Sequence, residues 1–232
     1  MNASIKKGRM LTDEHINYAQ NLLVSQFPSI DGFQNCLLAQ NNGFVPVQRE
    51  AIQIHFVRGN HWVTSSLFGG VVTVYDSLCE GTLSASLTHQ LALVYRAQVR
   101  TDDQTLCAYV PTVQQQQGGV DCGVFAIAFA LHIALGDDLE NIIFEQSSMR
   151  QHLLTCFSEQ KFEPFPCREI VPSPSPHKQP NLIKLYCTCL MPETYDDMIA
   201  CDVCERWFHL KCVGMPQSPP EEESWICKNC TA

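Results

Sequence analysis

LYCTCLMPETYDDMIACDVCERWFHLKCVGM (residues 185–215), closed by WICKNC (225–230), carries seven cysteines and one histidine at spacings that leave little freedom. They fall as Cys187-x-Cys189, Cys201-x-x-Cys204, His209-x-x-Cys212 and Cys227-x-x-Cys230. A close pair of thiolates can fill two corners of a tetrahedron around zinc, and a neutral imidazole can replace one thiolate. Eight ligands therefore supply two sites, one of them with three thiolates and an imidazole. The segment is too short to bury much of a core, so metal must contribute a large part of its folding energy. A disulfide framework fits less well, because no signal-peptide pattern opens the sequence and a histidine sits at ligand spacing.

The whole sequence has 232 residues, enough for one large domain or a moderate one plus a small one. No apolar run is long enough to span a bilayer. The formal charge of −9 argues against a broad phosphate-binding face, hence against direct nucleic-acid binding, and favours cationic partners. Outside the ladder, Cys36, Cys79, Cys107, Cys122, Cys156 and Cys167 are scattered without pairing rhythm, which suits an intracellular, reducing compartment. VPSPSPHKQP (171–180) alternates proline with serine and can bury no core. The predicted organisation is a first domain over 1–168, a Pro/Ser-rich linker over 169–183 and the zinc module over 184–232. No internal repeat is evident, and Gln114 to Gln117 is too short for a low-complexity tract.

In the first domain, Thr12 can cap a helix whose first turn carries Asp13 and Glu14. Ile16, Ala19, Leu22 and Leu23 make its apolar face. Residues 52–57, 61–68, 71–78 and 106–110 read as strands, and Leu83, Leu87, Leu91 and Val94 mark a helix over 83–97. The mixture predicts an α+β domain.

Gly69-Gly70 reads as a two-residue hairpin turn. Phe68 then faces Val71, the register sets His61 opposite Leu78, and Asp76 falls on the diagonal on the same sheet face. A carboxylate there can fix the imidazole's tautomer and stabilise its charged form. GGVDCGVFAIAFALHIALGDD (118–138) opens with glycines, passes Cys122 and continues as an apolar helix ending near Gly136. A cysteine at the N-terminus of a buried helix meets free amides and the positive end of the dipole, which favour thiolate. Gly118, Gly119 and Gly123 allow another chain to approach closely.

Three motifs, GNHW around His61, VYDSL around Asp76 and QQQQGGVDCGVF around Cys122, resemble the Ulp/sentrin-specific protease family over roughly residues 8–160, with LTDEHIN (11–17) like its opening helix. The resemblance implies a papain-like-clan ubiquitin-like protease domain that removes SUMO-type modifiers after a C-terminal Gly-Gly. On this pattern Cys122 is the nucleophile, His61 the general base and acid, Asp76 its orienting partner and Gln116 the oxyanion donor, with Gln117 the fallback. Trp62 would line the channel for the diglycine tail. Met10, standing where the family usually has a tryptophan, would cover that tail loosely. The same scaffold also serves certain acyltransferases, and a chromatin-binding protein that only holds a modifier would keep it without turnover; the triad leaves both open.

The ladder itself resembles a PHD finger, a resemblance favoured over a RING finger by Trp207-Phe208-His209 and by Trp225. In that family the pairs interleave, which implies one zinc on Cys187, Cys189, His209 and Cys212 and a second on Cys201, Cys204, Cys227 and Cys230. Tyr186, Tyr195, Met198 and Trp207 match the aromatic cage that reads methylated lysine on the histone H3 tail. Asp202 matches the carboxylate that pairs with the histone's arginine, with Asp196 and Asp197 adding negative charge. The implied location is the nucleus, although no nuclear localisation run stands out.

Overall fold

The computed structural model describes residues 5, 8–57, 60–78, 82–99, 104–171, 179–193, 198–220 and 222–231. Tyr195, Asp196 and Asp197 lie outside the described residues, as does Cys79. Thr12 is extended and opens α1 (Asp13–Gln26). His15 reaches back so that its Nδ1 accepts the Thr12 backbone N–H at 3.1 Å, which satisfies one of the groups at this helix start. Ile16, Ala19 and Leu23 are buried, and Leu22 is half-buried beside them.

Strands β1 (Asp31–Gly32), β2 (Ala51–Val57), β3 (His61–Phe68), β4 (Val71–Tyr75), β5 (Thr105–Tyr109) and β8 (Asn181–Lys184) form one six-stranded sheet in the order β1-β2-β3-β4-β5-β8. Phe68 faces Val71 as the hairpin reading requires. Gly69 and Gly70 both take positive φ, 57° and 77°, which side chains resist. The fourth strand stops at Tyr75, three residues short of the expectation. There the Asp76 carboxylate accepts the backbone N–H of Leu78 at 2.8 Å, a local turn that takes Asp76 and Ser77 out of the ladder.

Both sheet faces are covered. Ile52, Ile54 and Trp62 pack with α1, α3 (Cys122–Leu135) and α4 (Gln146–Glu159). Val57, Val63, Leu67, Val72 and Val74 pack beneath α2 (Ala85–Tyr95), which starts at Ser84, whose hydroxyl accepts the Leu87 N–H. The third helix is buried at every position from Cys122 to Ile133, and Gly136 ends it in the left-handed conformation at φ 89°. Strands β6 (Ile142–Phe144) and β7 (Cys167–Glu169) pair as a separate ribbon.

The linker expected over 169–183 is shorter at both ends. Glu169 pairs with Ile142. Residues 181–184 form β8, antiparallel to β5, with Leu106 opposite Ile183 and Cys107 opposite Leu182. Ile183 and Leu185 are buried in the α2-side core, whereas Leu182 and Lys184 face outward, an alternation of period two. Once the prolines end at Pro180, this stretch can pair the edge of β5, whose backbone groups would otherwise lack partners. The zinc module is therefore docked and not loosely tethered. The Gln104 side-chain amide donates to the Cys187 carbonyl at 3.2 Å, and an Arg96 guanidinium N–H meets the Met191 sulfur at 3.3 Å.

The module contains a two-stranded ribbon, β9 (Met198–Ala200) with β10 (Trp207–His209), followed by a single turn, α5 (Leu210–Val213). Its buried cluster is Cys187, Ile199, Cys201, Phe208, Leu210 and Cys227, so half of it is cysteine. That composition agrees with a module whose cohesion needs metal.

Candidate active site and metal centre

His61 opens β3, and Asp76 leaves β4 one residue after its end. Their side chains meet as the hairpin register requires, with His61 Nε2 at 2.6 Å from Asp76 Oδ1. Both are largely buried, at 15% and 10% exposure, so water screens the contact weakly. The same Asp76 oxygen accepts the Leu78 N–H, which holds the carboxylate in place. The other ring nitrogen, Nδ1, is buried without a hydrogen-bond partner among the described residues. Burial alone would lower the His61 pKa, but the hydrogen bond it donates to Asp76, the interaction with the Cys122 thiol and the Asp76 charge outweigh it and hold His61 at about 9. The Cys122 thiol therefore interacts with the ring, although Nδ1 closes no hydrogen bond among the described residues.

Cys122 is the first residue of α3 and is 1% exposed. The Thr64 hydroxyl, three residues along β3 from His61, donates to the Ala126 carbonyl in the first turns of α3 at 2.8 Å. That bond fixes the helix bearing Cys122 against the strand bearing His61. Gly123 explains the close packing beside it: a Cβ there would lie 2.9 Å from Leu11 Cβ and 3.1 Å from Trp62 Cδ1. The approaching groups are thus the protein's own wall. Gly118 has φ 80° and open space around it, and Gly119 is likewise unobstructed.

The four consecutive glutamines hold the loop before Cys122. Gln114 exchanges two hydrogen bonds with the Phe144 backbone, at 2.6 and 3.1 Å. Gln115 donates to the Asp76 carbonyl at 3.1 Å. Gln116 is buried; its Oε1 accepts the Ser77 hydroxyl at 2.8 Å and its Nε2 donates to the Gly118 carbonyl at 2.7 Å. These partners fix the amide orientation and leave one of its two N–H donors uncommitted. Gln117 is exposed and is held by its backbone to Gln146, so it is not the equivalent of Gln116. Sequence reasoning missed Gln114, Gln115, Ser77 and Gln146; the three further glutamines beside a candidate oxyanion donor were the available signal.

Trp62 is buried with its indole N–H donating to the Leu11 carbonyl at 3.0 Å. Met10 and Trp62, with Leu37 and Phe56, line one cavity of about 490 Å³. Both expected substrate-binding residues therefore line one cavity, and Trp62 also packs beside Gly123, the residue after Cys122.

In the zinc module the ligand atoms of Cys187, Cys189, His209 and Cys212 lie within 4.8 Å of one another, as do those of Cys201, Cys204, Cys227 and Cys230. These are the two interleaved sets that the resemblance implies. Cys204 and Cys227 sulfurs stand 3.8 Å apart, far beyond a disulfide bond and equal to the edge of a tetrahedron with metal–sulfur bonds of about 2.3 Å. Cys189 Sγ is 3.3 Å from His209 Nδ1, while His209 Nε2 lies 3.2 Å from the Pro192 carbonyl. An Nε2–H donated to that carbonyl leaves the Nδ1 lone pair for a metal. The donor sets are consistent with zinc.

Trp207 is 49% exposed, and Met198 and Tyr186 are half-buried. Met198 pairs with His209, two residues along β10 from Trp207, so Met198 and Trp207 are diagonal neighbours across the ribbon. Tyr195, the fourth expected cage residue, lies outside the described residues. Asp202 accepts the Ser224 hydroxyl and the Trp225 N–H on one oxygen, at 2.8 and 2.7 Å, and so also ties down the loop before Cys227.

The His61–Asp76 contact sets a pH dependence. His61 titrates at about 9 in place of 6.5, so its stabilisation is complete below 6.5 and is lost as pH rises through about 9. Asp76→Asn should therefore lower the melting temperature at about pH 6 and leave it nearly unchanged at about pH 10. Thermal unfolding of both proteins at the two pH values measures this; an equal drop at both would assign Asp76 a purely structural part.

Residues 187–230 match the PHD-finger family model. Over 42 residues the chain is 45% identical to transcription initiation factor TFIID subunit 3 of Xenopus laevis, which covers 18% of this chain and 5% of that protein. It is 38% identical over 60 residues to Set1 complex component spp1 of Schizosaccharomyces pombe, covering 25% of this chain and 13% of the relative. The chain thus spans only a small part of these curated relatives. The C-terminal Ulp1 protease domain, solved in complex with Smt3, the yeast ortholog of SUMO, aligns with a TM-score of 0.55 at 15% identity, covering 68% of this chain and 81% of that one. The chain joins a domain with the fold of the Ulp1 protease to a C-terminal PHD finger.

Proposed function

We propose that the protein is a cysteine isopeptidase that cleaves after the C-terminal Gly-Gly of a SUMO-type ubiquitin-like modifier and carries a reader of methylated lysine on the histone H3 tail. The carrying observation is the His61–Asp76 pair at 2.6 Å beside Cys122, the first residue of a buried helix, in a fold shared with the Ulp1 protease domain. Cys122 Sγ attacks the carbonyl carbon of the last glycine, and its proton resides on His61. Gln116 donates its free N–H to the oxygen as charge develops there. His61 returns the proton to the departing amine when the C–N bond breaks, leaving a thioester. Water, deprotonated by His61, then releases the modifier and restores Cys122. Met10 and Trp62 hold the tail against the cavity wall.

The test is cleavage of modifier precursors and isopeptide conjugates by the full chain. At least one is cleaved, Cys122→Ser abolishes turnover with the fold intact, and Gln116→Ala lowers kcat by about 100-fold with little change in KM. No cleavage across the panel would favour a modifier-holding protein, and persistence in Cys122→Ser would move the nucleophile elsewhere.

In this reading each finger site holds one structural zinc, and the finger takes the H3 tail with Tyr186, Tyr195, Met198 and Trp207 around a methylated lysine and Asp202 toward the arginine. The exposed Trp207 supports it, since an indole face on solvent can bind a quaternary ammonium. The location that follows is the nucleus. Titration of H3 peptides should show tighter binding of the peptide trimethylated at its fourth residue than of the unmethylated one. Trp207→Ala should remove most of the difference; equal affinities for the wild type would leave a PHD fold without this reading function.

A further inference from the structure

Asp121, immediately before the nucleophile, is the N-cap residue of α3 but makes no side-chain cap. An aspartate there ordinarily turns its carboxylate onto the first free amides of the helix. Here those amides remain open: the backbone N–H groups of Cys122 and Gly123 have no partner among the described residues. The carboxylate instead points to α4, where Arg150 Nε donates to Oδ1 at 2.7 Å and Gln146 Nε2 donates to Oδ2 at 2.6 Å. Arg150 also donates to the carbonyls of Val120 and Ile5, at 2.9 and 3.3 Å. Gln146 exchanges two further bonds with the Gln117 backbone, at 2.8 and 2.9 Å. One helical turn thus grips both ends of the loop from Gln117 to Asp121.

We propose that Arg150 and Gln146 are positioning residues for the nucleophile: they hold the Asp121 carboxylate off the helix N-terminus that Cys122 opens, and Arg150 neutralises its charge. This rests on Cys122 being the nucleophile. An unpaired carboxylate at that end would occupy the amides that favour an anion and would repel a thiolate. The Asp121 and Arg150 side chains are 16% and 17% exposed, so solvent screens the charge little. Among the described residues the charged groups around this helix start are His61 from β3, which interacts with the thiol and is backed by Asp76, and the Asp121–Arg150 pair, whose aspartate directly precedes Cys122.

The test is the rate of Cys122 alkylation by iodoacetamide against pH on the full chain, read by mass spectrometry on the peptide that carries Cys122. Arg150→Met should slow alkylation at about pH 6 by roughly fivefold, because an unneutralised carboxylate at the helix start disfavours the thiolate. Asp121→Asn in the same background should restore it, because the repelling charge is gone. Arg150→Lys, which keeps the charge without the fork, should fall between. A wild-type profile in Arg150→Met, or a double variant as slow as the single one, would overturn the proposal. Should Arg150→Met fail to fold, Asp121→Asn alone decides: it must alkylate at least as fast as the wild type, and a slower rate refutes the charge argument. The readout needs no turnover. Failure to cleave any modifier would sink the proposed function and leave this test standing.

Discussion

Everything at the candidate active site depends on the buried helix that begins with Cys122. The third helix is buried from its first residue onward, and a single hydrogen bond from Thr64 ties its early turns to the strand that begins with His61. A nucleophile on an exposed loop would have to be ordered by substrate, at an entropic cost that binding must offset. Cys122 takes its position from the hydrophobic core itself. Asp76 is positioned differently, by leaving its strand early and turning its carboxylate onto both Leu78 and the histidine ring. The candidate triad is thus assembled from a helix start, a strand start and a strand end, joined by the Thr64 and Asp76 hydrogen bonds.

Between β5 and the third helix runs a largely polar loop, anchored in the core by Val113 and held by amide hydrogen bonds. Gln114 reaches Phe144, Gln115 the Asp76 carbonyl, Gln116 the Ser77 hydroxyl, and the Gln117 backbone meets Gln146. A side-chain amide both donates and accepts, so one residue can satisfy two backbone groups that would otherwise lack partners. The finger is joined to this domain with similar economy. Asn181 to Lys184 complete the sheet edge, and Ile183 and Leu185 enter the α2-side core just before the first metal ligand.

Much of this was legible in the sequence because it is local. The Gly69-Gly70 turn fixes the register from Phe68–Val71 back to the last pair at Thr64–Tyr75, and that register carries His61 to Asp76. The ligand ladder predicts its own pairing once the interleaving of the resembling family is applied, and the two clusters obey it. What escaped is long-range. The roles of the four glutamines depend on partners such as Ser77 and Gln146, some thirty to forty residues away, so composition alone reads them as a polar run. The proline-serine stretch hid β8, because a four-residue strand at an edge has too few alternations to stand out against a linker. The early end of β4 was invisible too, since VVTVYDSL keeps strand character past Tyr75 and only the Asp76 turn ends it.

The most direct measurement is the site of covalent capture when the full chain meets a panel of ubiquitin-like modifiers bearing a C-terminal electrophile in place of the last glycine carboxylate. Intact mass followed by peptide mapping locates the bond. The account predicts one adduct per chain, on Cys122, formed with at least one modifier and lost in His61→Ala as well as in Cys122→Ser. An adduct on Cys107 or on a finger cysteine, or no adduct with any modifier, would contradict it.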